Sequence, residues 1–151
     1  MKRSIITILL TAFLFSCSQM ETSNSIIAKK IEKECNGKDT CKINMQATVN
    51  EQWDKMYVFK ESASLERINQ VIGFTYPYFE DIAKRIIFTR AGKVVFHEDE
   101  FPGVESAKNG EVVFNIGDTS DYKIFLPGEA IFNVHKVDFD KSSYYELTPS
   151  K

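Results

Sequence analysis

The side chains that could do chemistry in this chain are two histidines, His97 and His135, three cysteines and many carboxylates. A hydrolase needs a nucleophile, a base beside it and an acid that orients the base. The sequence contains no G-x-S-x-G elbow, no H-E-x-x-H pair and no glycine-rich phosphate loop. His135 lies on the polar phase of an alternating segment, which indicates a surface residue. We therefore predict no catalytic residue and no cofactor.

His97 is followed by three carboxylates, and this acidic segment leads to Pro102-Gly103. The carboxylates are Glu98, Asp99 and Glu100. A histidine beside carboxylates could hold a cation, but consecutive residues of an extended chain point in different directions. We therefore expect a solvated loop here and no metal site.

Asp54 and Lys55 stand at the start of the most apolar segment of the domain, Met56 to Phe59. They form either part of a ligand site or a salt-bridged strand end, and the strand end is the simpler interpretation. With Trp53 they begin the pattern W-D-K-x-Y-x-F, which resembles uncharacterised small bacterial lipoproteins. That resemblance implies no activity.

The N-terminus has the order of a signal peptide, with Lys2 and Arg3 before an apolar segment at 5–15. This segment is shorter than the roughly 20 apolar residues that span a bilayer. It ends in Leu14-Phe15-Ser16-Cys17, which resembles the lipobox of bacterial lipoproteins. The resemblance implies cleavage before Cys17, a diacylglyceryl thioether on its sulfur and acylation of the new N-terminus. The alternative is an ordinary secretory signal in which Cys17 is incidental.

We expect three segments: a signal peptide at 1–16, a lipidated cysteine with a polar tether at 17–24, and one domain at 25–151. The residue after Cys17 is Ser18 and not an aspartate. In this the chain resembles lipoproteins that are sent to the outer membrane, and the resemblance implies a location on the periplasmic face of that membrane. Of the 19 basic residues, Lys2 and Arg3 lie in the signal peptide, so 17 remain against 21 acidic ones. This acidic balance argues against nucleic acid as a partner. The acyl chains would provide the contact with the membrane.

Cys35 and Cys41 enclose Asn36-Gly37, a pair suited to a tight turn. Disulfides persist in the oxidising compartment that a signal peptide implies. Thiol oxidoreductases use the shorter C-x-x-C spacing, and no second Cys or His pair lies nearby to complete a zinc site. We predict a structural disulfide.

Hydrophobic periodicity predicts an α+β domain with an antiparallel sheet and two short helices in its N-terminal part. The predicted helices are 26–34, capped by Ser25, and 65–72, ended by Gly73. The predicted strands are 43–49, the central strand 56–59, a hairpin at 85–97 turning at Ala91-Gly92, 111–116, a second hairpin at 122–137 turning at Pro127-Gly128, and an edge strand at 144–147.

A small, acidic, aromatic-rich domain without a catalytic set favours a lipid-anchored protein that acts by binding an envelope protein, as an inhibitor or immunity-type partner. We expect its contact surface to combine two loops, since loops on a rigid scaffold commonly bind. The apolar centre would be Tyr76, Tyr78 and Phe79 of the aromatic loop 74–79, and the charged rim would be Glu98, Asp99 and Glu100. The alternative is that the aromatic side chains cover the core.

Two other functions stay open. One is an envelope enzyme with a site among Asp54, Lys55, His97 and Glu98. The other is a structural envelope component without a ligand. A cleft lined by His97 and Asp54 would favour the enzyme.

Overall fold

The computed structural model describes residues 25–38, 40–100, 110–118, 120–139 and 142–150. The predicted signal peptide, Cys17, the tether and Pro102-Gly103 lie outside these residues. The elements within them are α1 (Ile26–Cys35), β1 (Cys41–Asn44), α2 (Met45–Thr48), β2 (Lys55–Phe59), α3 (Leu65–Ile72), β3 (Lys84–Arg90), β4 (Lys93–Glu100), β5 (Val112–Phe114), β6 (Tyr122–Phe125), β7 (Ile131–Phe139) and β8 (Ser142–Pro149).

The strands form two four-stranded sheets, which confirms the predicted α+β class. Sheet A has the order β1-β7-β8-β5, and sheet B has the order β4-β3-β2-β6. All neighbours are antiparallel except β5 and β8, which run parallel. The strand predicted at 144–147 is present as β8, but its prediction as an edge strand is wrong, because β7 and β5 flank it in sheet A.

The predicted hairpin at 122–137 is wrong, because its two strands belong to different sheets. β6 pairs with β2 in sheet B, whereas β7 pairs with β1 and β8 in sheet A. Phe125 and Phe132, on either side of the turn, bring their ring centroids to 5.0 Å in the core that joins the sheets. Packing these two rings together in the core accounts for the chain crossing from one sheet to the other at this turn.

Two clusters of buried side chains form the core. The inner cluster joins sheet A, one face of sheet B and helix α1. The outer cluster lies on the opposite face of sheet B, where α3 and the aromatic loop cover it. Strand β2 supplies both: Met56 and Val58 enter the inner cluster, and Tyr57 and Phe59 enter the outer one. The prediction of a central strand covered on both faces is confirmed.

Both predicted helices are confirmed, although the first ends at Cys35, one residue later than predicted. The Ser25 hydroxyl accepts the N–H of Ala28 at the start of α1, and the Ser64 hydroxyl accepts the N–H of Arg67 at the start of α3. Gly73 ends α3 at φ 85°, in the left-handed region where glycine has no Cβ penalty.

The disulfide between Cys35 and Cys41 is present, with a Cα–Cα distance of 5.4 Å. Gly37 has φ 73°, and the N–H of Lys38 bonds to the carbonyl of Cys35, so the enclosed residues form the expected tight turn. The bridge fastens the end of α1 to the first residue of β1.

The predicted strand at 43–49 is only partly right, because β1 ends at Asn44. The Asn44 side chain accepts the N–H of Gln46, and the Thr48 hydroxyl donates to the Asn44 carbonyl, which closes one helical turn. Asparagine caps compete with the strand ladder in this way. The apolar residues still reach the core, since Met45 and Val49 are buried.

The hairpin of β3 and β4 turns at Ala91 and Gly92, as predicted, with φ of 49° and 73°. Positive φ at both positions is what the tightest hairpin turns require. The N–H of Ala91 donates to Asp54 at 3.0 Å, so a carboxylate from the neighbouring strand end supports this turn.

Candidate functional site

The acidic segment is the end of strand β4, so the prediction of a solvated loop at 97–100 is wrong. Side chains alternate along this strand. His97 and Asp99 stand opposite Ile87 and Arg85 on the outer face of sheet B. Glu98 and Glu100, which alternate with them along the strand, face the inner side of sheet B. The four polar side chains therefore divide between two faces.

Glu98 holds the first turn of helix α1. Its carboxylate accepts the Ser25 hydroxyl at 2.6 Å and the N–H of Ile26 at 2.8 Å. A carboxylate at a helix N-terminus satisfies an unpaired N–H and interacts favourably with the helix dipole. Glu98 thus joins α1 to sheet B and is not part of an exposed rim.

Glu100 joins the two sheets. Its carboxylate accepts the N–H of Val112, the first residue of β5, at 3.0 Å. Burial raises the pKa of Glu100 to about 8, with the bond from Val112 opposing the shift and the carboxylates of Glu111 and Glu98 acting in the same direction as burial. The proton is therefore retained at neutral pH, which is unusual for a glutamate.

Asp99 belongs to a buried polar cluster with Arg85 and Tyr76. The Arg85 side chain is 1% exposed, and its Nη2 lies 3.6 Å from Asp99 Oδ2. It also donates to the carbonyl of Glu80. The Tyr76 hydroxyl lies 3.4 Å from Asp99 Oδ1 as a hydrogen-bond donor. Burial raises the pKa of Asp99, and the Arg85 charge opposes that shift.

Aromatic rings cover the buried guanidinium group of Arg85. Its Cζ lies 4.7 Å from the ring centroid of Phe79 and 5.6 Å from that of Tyr76. Such contacts stabilise a desolvated cation. Phe79 is half-buried and Tyr76 is 2% exposed, so both side chains cover the outer cluster. For Tyr76, this corrects the prediction of an exposed contact residue.

Tyr78 is the residue of the aromatic loop that points outward. It is 49% exposed, and its ring stacks on His97 with centroids 4.3 Å apart and planes 14° apart. The His97 ring also meets the Tyr76 ring edge-on at 5.9 Å, and its Nδ1 lies 4.0 Å from Asp99. A buried cluster therefore positions the exposed Tyr78 ring through His97.

Ile82 is an exposed apolar side chain on the same connection between α3 and β3. It is 64% exposed and has φ 58°. A β-branched residue in the left-handed region is strained, at a cost of about 1–3 kcal/mol. The sequence analysis missed Ile82, since an isolated apolar residue after Glu80-Asp81 carries no periodic signal. We call the stacked rings of Tyr78 and His97, together with Ile82 further along the same connection, the exposed patch.

Asp54 and Lys55 lie elsewhere. The Asp54 carboxylate accepts the N–H of Ala91 and the Thr89 hydroxyl, at 3.0 and 3.3 Å, and so serves the hairpin turn. Lys55 is exposed. Across sheet B, Tyr57 of β2 pairs with Ile87 of β3, and Ile87 pairs with His97 of β4. Asp54 lies three residues before Tyr57 in the chain. The structure therefore gives the strand-end interpretation of Asp54, with a turn contact in place of a salt bridge.

Among the residues the structure describes, no group of three His, Cys, Asp or Glu side chains is arranged to hold a metal ion. In the same part of the chain, no helix has the length and apolar character required to cross a membrane. A shallow cavity of about 400 Å³ lies beside the disulfide and is lined partly by Lys33, Lys38 and Lys42. It is built from the end of α1, the turn that follows and the start of β1, and it shares no residue with the exposed patch.

Tyr76 and Tyr78 should respond differently to truncation. Tyr76→Ala removes a buried ring and the hydroxyl beside Asp99, so we expect the free energy of unfolding to fall by about 3–5 kcal/mol. Tyr78→Ala removes a half-exposed ring, and we expect a loss below about 1 kcal/mol. Urea unfolding of both variants measures this. Similar losses for the two variants would contradict the assigned burial.

Glu100 should make stability fall as pH rises. Because its folded-state pKa is raised from 4.5 to about 8, the folded state binds the proton more tightly than the unfolded state. Its contribution is therefore fully present below pH about 4.5 and is lost as pH rises through about 8. Glu100→Gln keeps a neutral side chain, so the stability difference between variant and parent should shift in favour of the variant from pH 5 to pH 9.

Thermal unfolding across that pH range measures the effect. Glu51→Gln is the matched control, because Glu51 is an exposed carboxylate. A pH dependence unchanged by Glu100→Gln would contradict the raised pKa.

Comparison with known proteins gives no relative of this chain. No family model matches the sequence, no curated protein matches it, and no solved structure matches its fold. The assignment of function therefore depends on the sequence and the geometry.

Proposed function

We propose that this chain is a lipid-anchored envelope protein that binds another protein through the exposed patch of Tyr78, His97 and Ile82. The observation that carries the proposal is the Tyr78 ring, which is half-exposed yet held in one orientation by stacking on His97. Tyrosine is enriched at the energetic centres of protein interfaces. A ring that is already fixed loses little conformational entropy on binding.

Ile82 supports the same surface. An exposed apolar side chain on strained backbone contributes nothing to the core and costs stability. Strain of this kind is concentrated at sites where it serves binding or switching. Two large apolar groups on one loop beside a rigid sheet provide an apolar centre for an interface.

Charge around the patch favours a basic partner. Glu80 and Asp81 are exposed between Tyr78 and Ile82 in the sequence, and they replace the predicted rim of Glu98, Asp99 and Glu100. Exposed charges beside an interface act mainly on the association rate and its salt dependence. An inhibitor or immunity-type role against a basic envelope enzyme or toxin fits this arrangement.

The membrane anchor is supported by the lipobox Leu14-Phe15-Ser16-Cys17 and by the short apolar segment before it. The proposed location is the periplasmic face of the outer membrane, because Ser18 follows the cysteine. The Cys35–Cys41 disulfide suits that compartment.

Cys17→Ser should abolish lipidation. We expect an uncleaved precursor that incorporates no labelled palmitate, whereas the parent chain incorporates it, because the thioether forms on the cysteine sulfur. Metabolic labelling and fractionation of membranes measure this. Equal labelling of variant and parent would contradict the proposed anchor.

Ile82→Asn should raise stability and lower binding together. Asparagine tolerates the left-handed region better than isoleucine, so we expect the free energy of unfolding to rise by about 1 kcal/mol. The loss of the apolar group should weaken capture of the partner. Leu126→Asn is the matched control, since Leu126 is a similarly exposed apolar residue at the opposite edge of sheet B.

The partner is identified by photo-crosslinkers placed at positions 78, 82 and 126 of the full chain in cells. We expect one shared product from positions 78 and 82 that is absent from position 126. Unrelated products at all three positions would contradict the exposed patch as the binding surface.

A further inference from the structure

The cavity beside the disulfide lies in a part of the fold that the proposed function does not use. Its volume of about 400 Å³ falls within the range of small-molecule sites. Three of the seven described residues that line it are lysines, namely Lys33 in the last turn of α1, Lys38 in the turn that follows and Lys42 in β1. We call it the basic cavity.

The ammonium groups of these lysines are available to a ligand. Lys33 and Lys38 are exposed, and neither side chain forms a hydrogen bond or an ion pair with the described part of the chain. Lys42 donates one hydrogen bond, to the Ser150 hydroxyl at 2.8 Å, and an ammonium group has three protons to donate. The basic cavity therefore presents positive charge that the fold does not neutralise.

Negative charge near the basic cavity is smaller than this positive charge. Glu34 also lines it, but its carboxylate is paired with Lys30 at 2.9 Å. The C-terminal end of α1 contributes roughly half a unit of negative charge through the helix dipole. Asp39 is the other acidic residue of this segment and lies outside the described residues. Even with a full negative charge counted for Asp39, the three lysines leave the cavity positive, in a chain whose formal net charge is −2.

We propose that the basic cavity binds a terminal phosphate group, either inorganic phosphate or a phosphate monoester. Such a group carries about 1.5 to 2 negative charges at neutral pH and three acceptor oxygens, so it can contact three ammonium groups at once. A carboxylate has one charge and two oxygens and satisfies three lysines less completely. None of the described lining residues is aromatic, so nothing in this part of the lining stacks on a nucleotide base. The phosphate itself is the group that is recognised.

The disulfide holds the backbone of the basic cavity in place before a ligand arrives. It joins Cys35, the last residue of α1, to Cys41, the first residue of β1. The turn between them is closed by the bond from the Lys38 N–H to the Cys35 carbonyl, at 3.1 Å. A backbone that is already fixed loses little entropy on binding, so the lysine side chains are the part that binding has to order.

A soluble compound or a lipid head group, such as that of phosphatidic acid, can supply this phosphate. The lipid source rests on the proposed membrane anchor, whereas the phosphate site itself does not. Helix α1 follows the proposed tether, and its ten residues span about 15 Å. A tether of eight residues extends to at most about 29 Å, which is longer than the helix, so the far end of α1 can reach the membrane surface.

NMR titration of the full chain in micelles of a neutral detergent tests the site. We expect the amide resonances of Lys38 and Thr40 to shift and saturate with inorganic phosphate or with phosphatidic acid mixed into the micelles. The probe that saturates at the lower concentration identifies the source. Acetate and phosphatidylglycerol, which each carry a single negative charge, should shift these resonances less. No saturable shift with either phosphate probe, or equal shifts with acetate, would overturn the proposal.

Charge removal supplies the second test. The double variant Lys33→Gln, Lys38→Gln should bind the phosphate probe about tenfold more weakly than the parent, because two exposed charge contacts are lost. The matched control is Lys29→Gln, Lys55→Gln, which changes the net charge equally at two exposed lysines that do not line the cavity. This control should bind as the parent does. Equal weakening of both double variants, or none in either, would overturn the basic cavity as the binding site.

Discussion

Strand β2 has apolar side chains on both faces, and the arrangement of the other elements follows from the need to cover them. Met56 and Val58 must be covered by one apolar layer, and Tyr57 and Phe59 by another on the opposite face. Sheet A and helix α1 provide the first layer, while helix α3 and the aromatic loop provide the second. Strand β2 also lies inside its sheet, with β3 and β6 as neighbours. The N-terminal disulfide then secures α1 and β1 at the periphery.

The acidic end of β4 shows how acidic side chains stabilise the contacts between layers. Because side chains alternate along the strand, Asp99 lies on the outer face, where it contacts Arg85 and Tyr76. Glu98 and Glu100 lie on the inner side, where they accept backbone N–H groups of α1 and β5. Breaking a buried polar contact leaves its partner unpaired, which costs more than the contact itself contributes. These three acidic side chains therefore hold the layers in register.

The same cluster prepares the candidate binding surface. The Arg85 cation lies against the rings of Tyr76 and Phe79. The Tyr76 ring meets His97 edge-on, and the Tyr78 ring stacks on His97. Contacts between aromatic rings thus connect the buried Arg85 cation to the exposed Tyr78 ring and restrict the motion of that ring. Ile82 lies on the same connection between α3 and β3 as Tyr78, and its backbone is strained. An interface built this way is organised before a partner arrives, which reduces the entropic cost of binding.

The sequence by itself determined the local elements whose signals are self-contained: both capped helices, the hairpin at Ala91-Gly92, the two-sided burial of β2, the disulfide and the α+β class. It did not determine which sheet each strand joins, because the turn at Pro127-Gly128 is compatible with a hairpin and with a crossing. Likewise, nothing local shows that Asn44 ends β1 or that residues 97–100 stay extended. Only the tertiary structure decided which members of the aromatic loop are exposed. Tyr76 and Tyr78 have the same chemistry and are two residues apart, but only Tyr76 faces the layer that must be covered, since burial depends on packing partners that are distant in the chain.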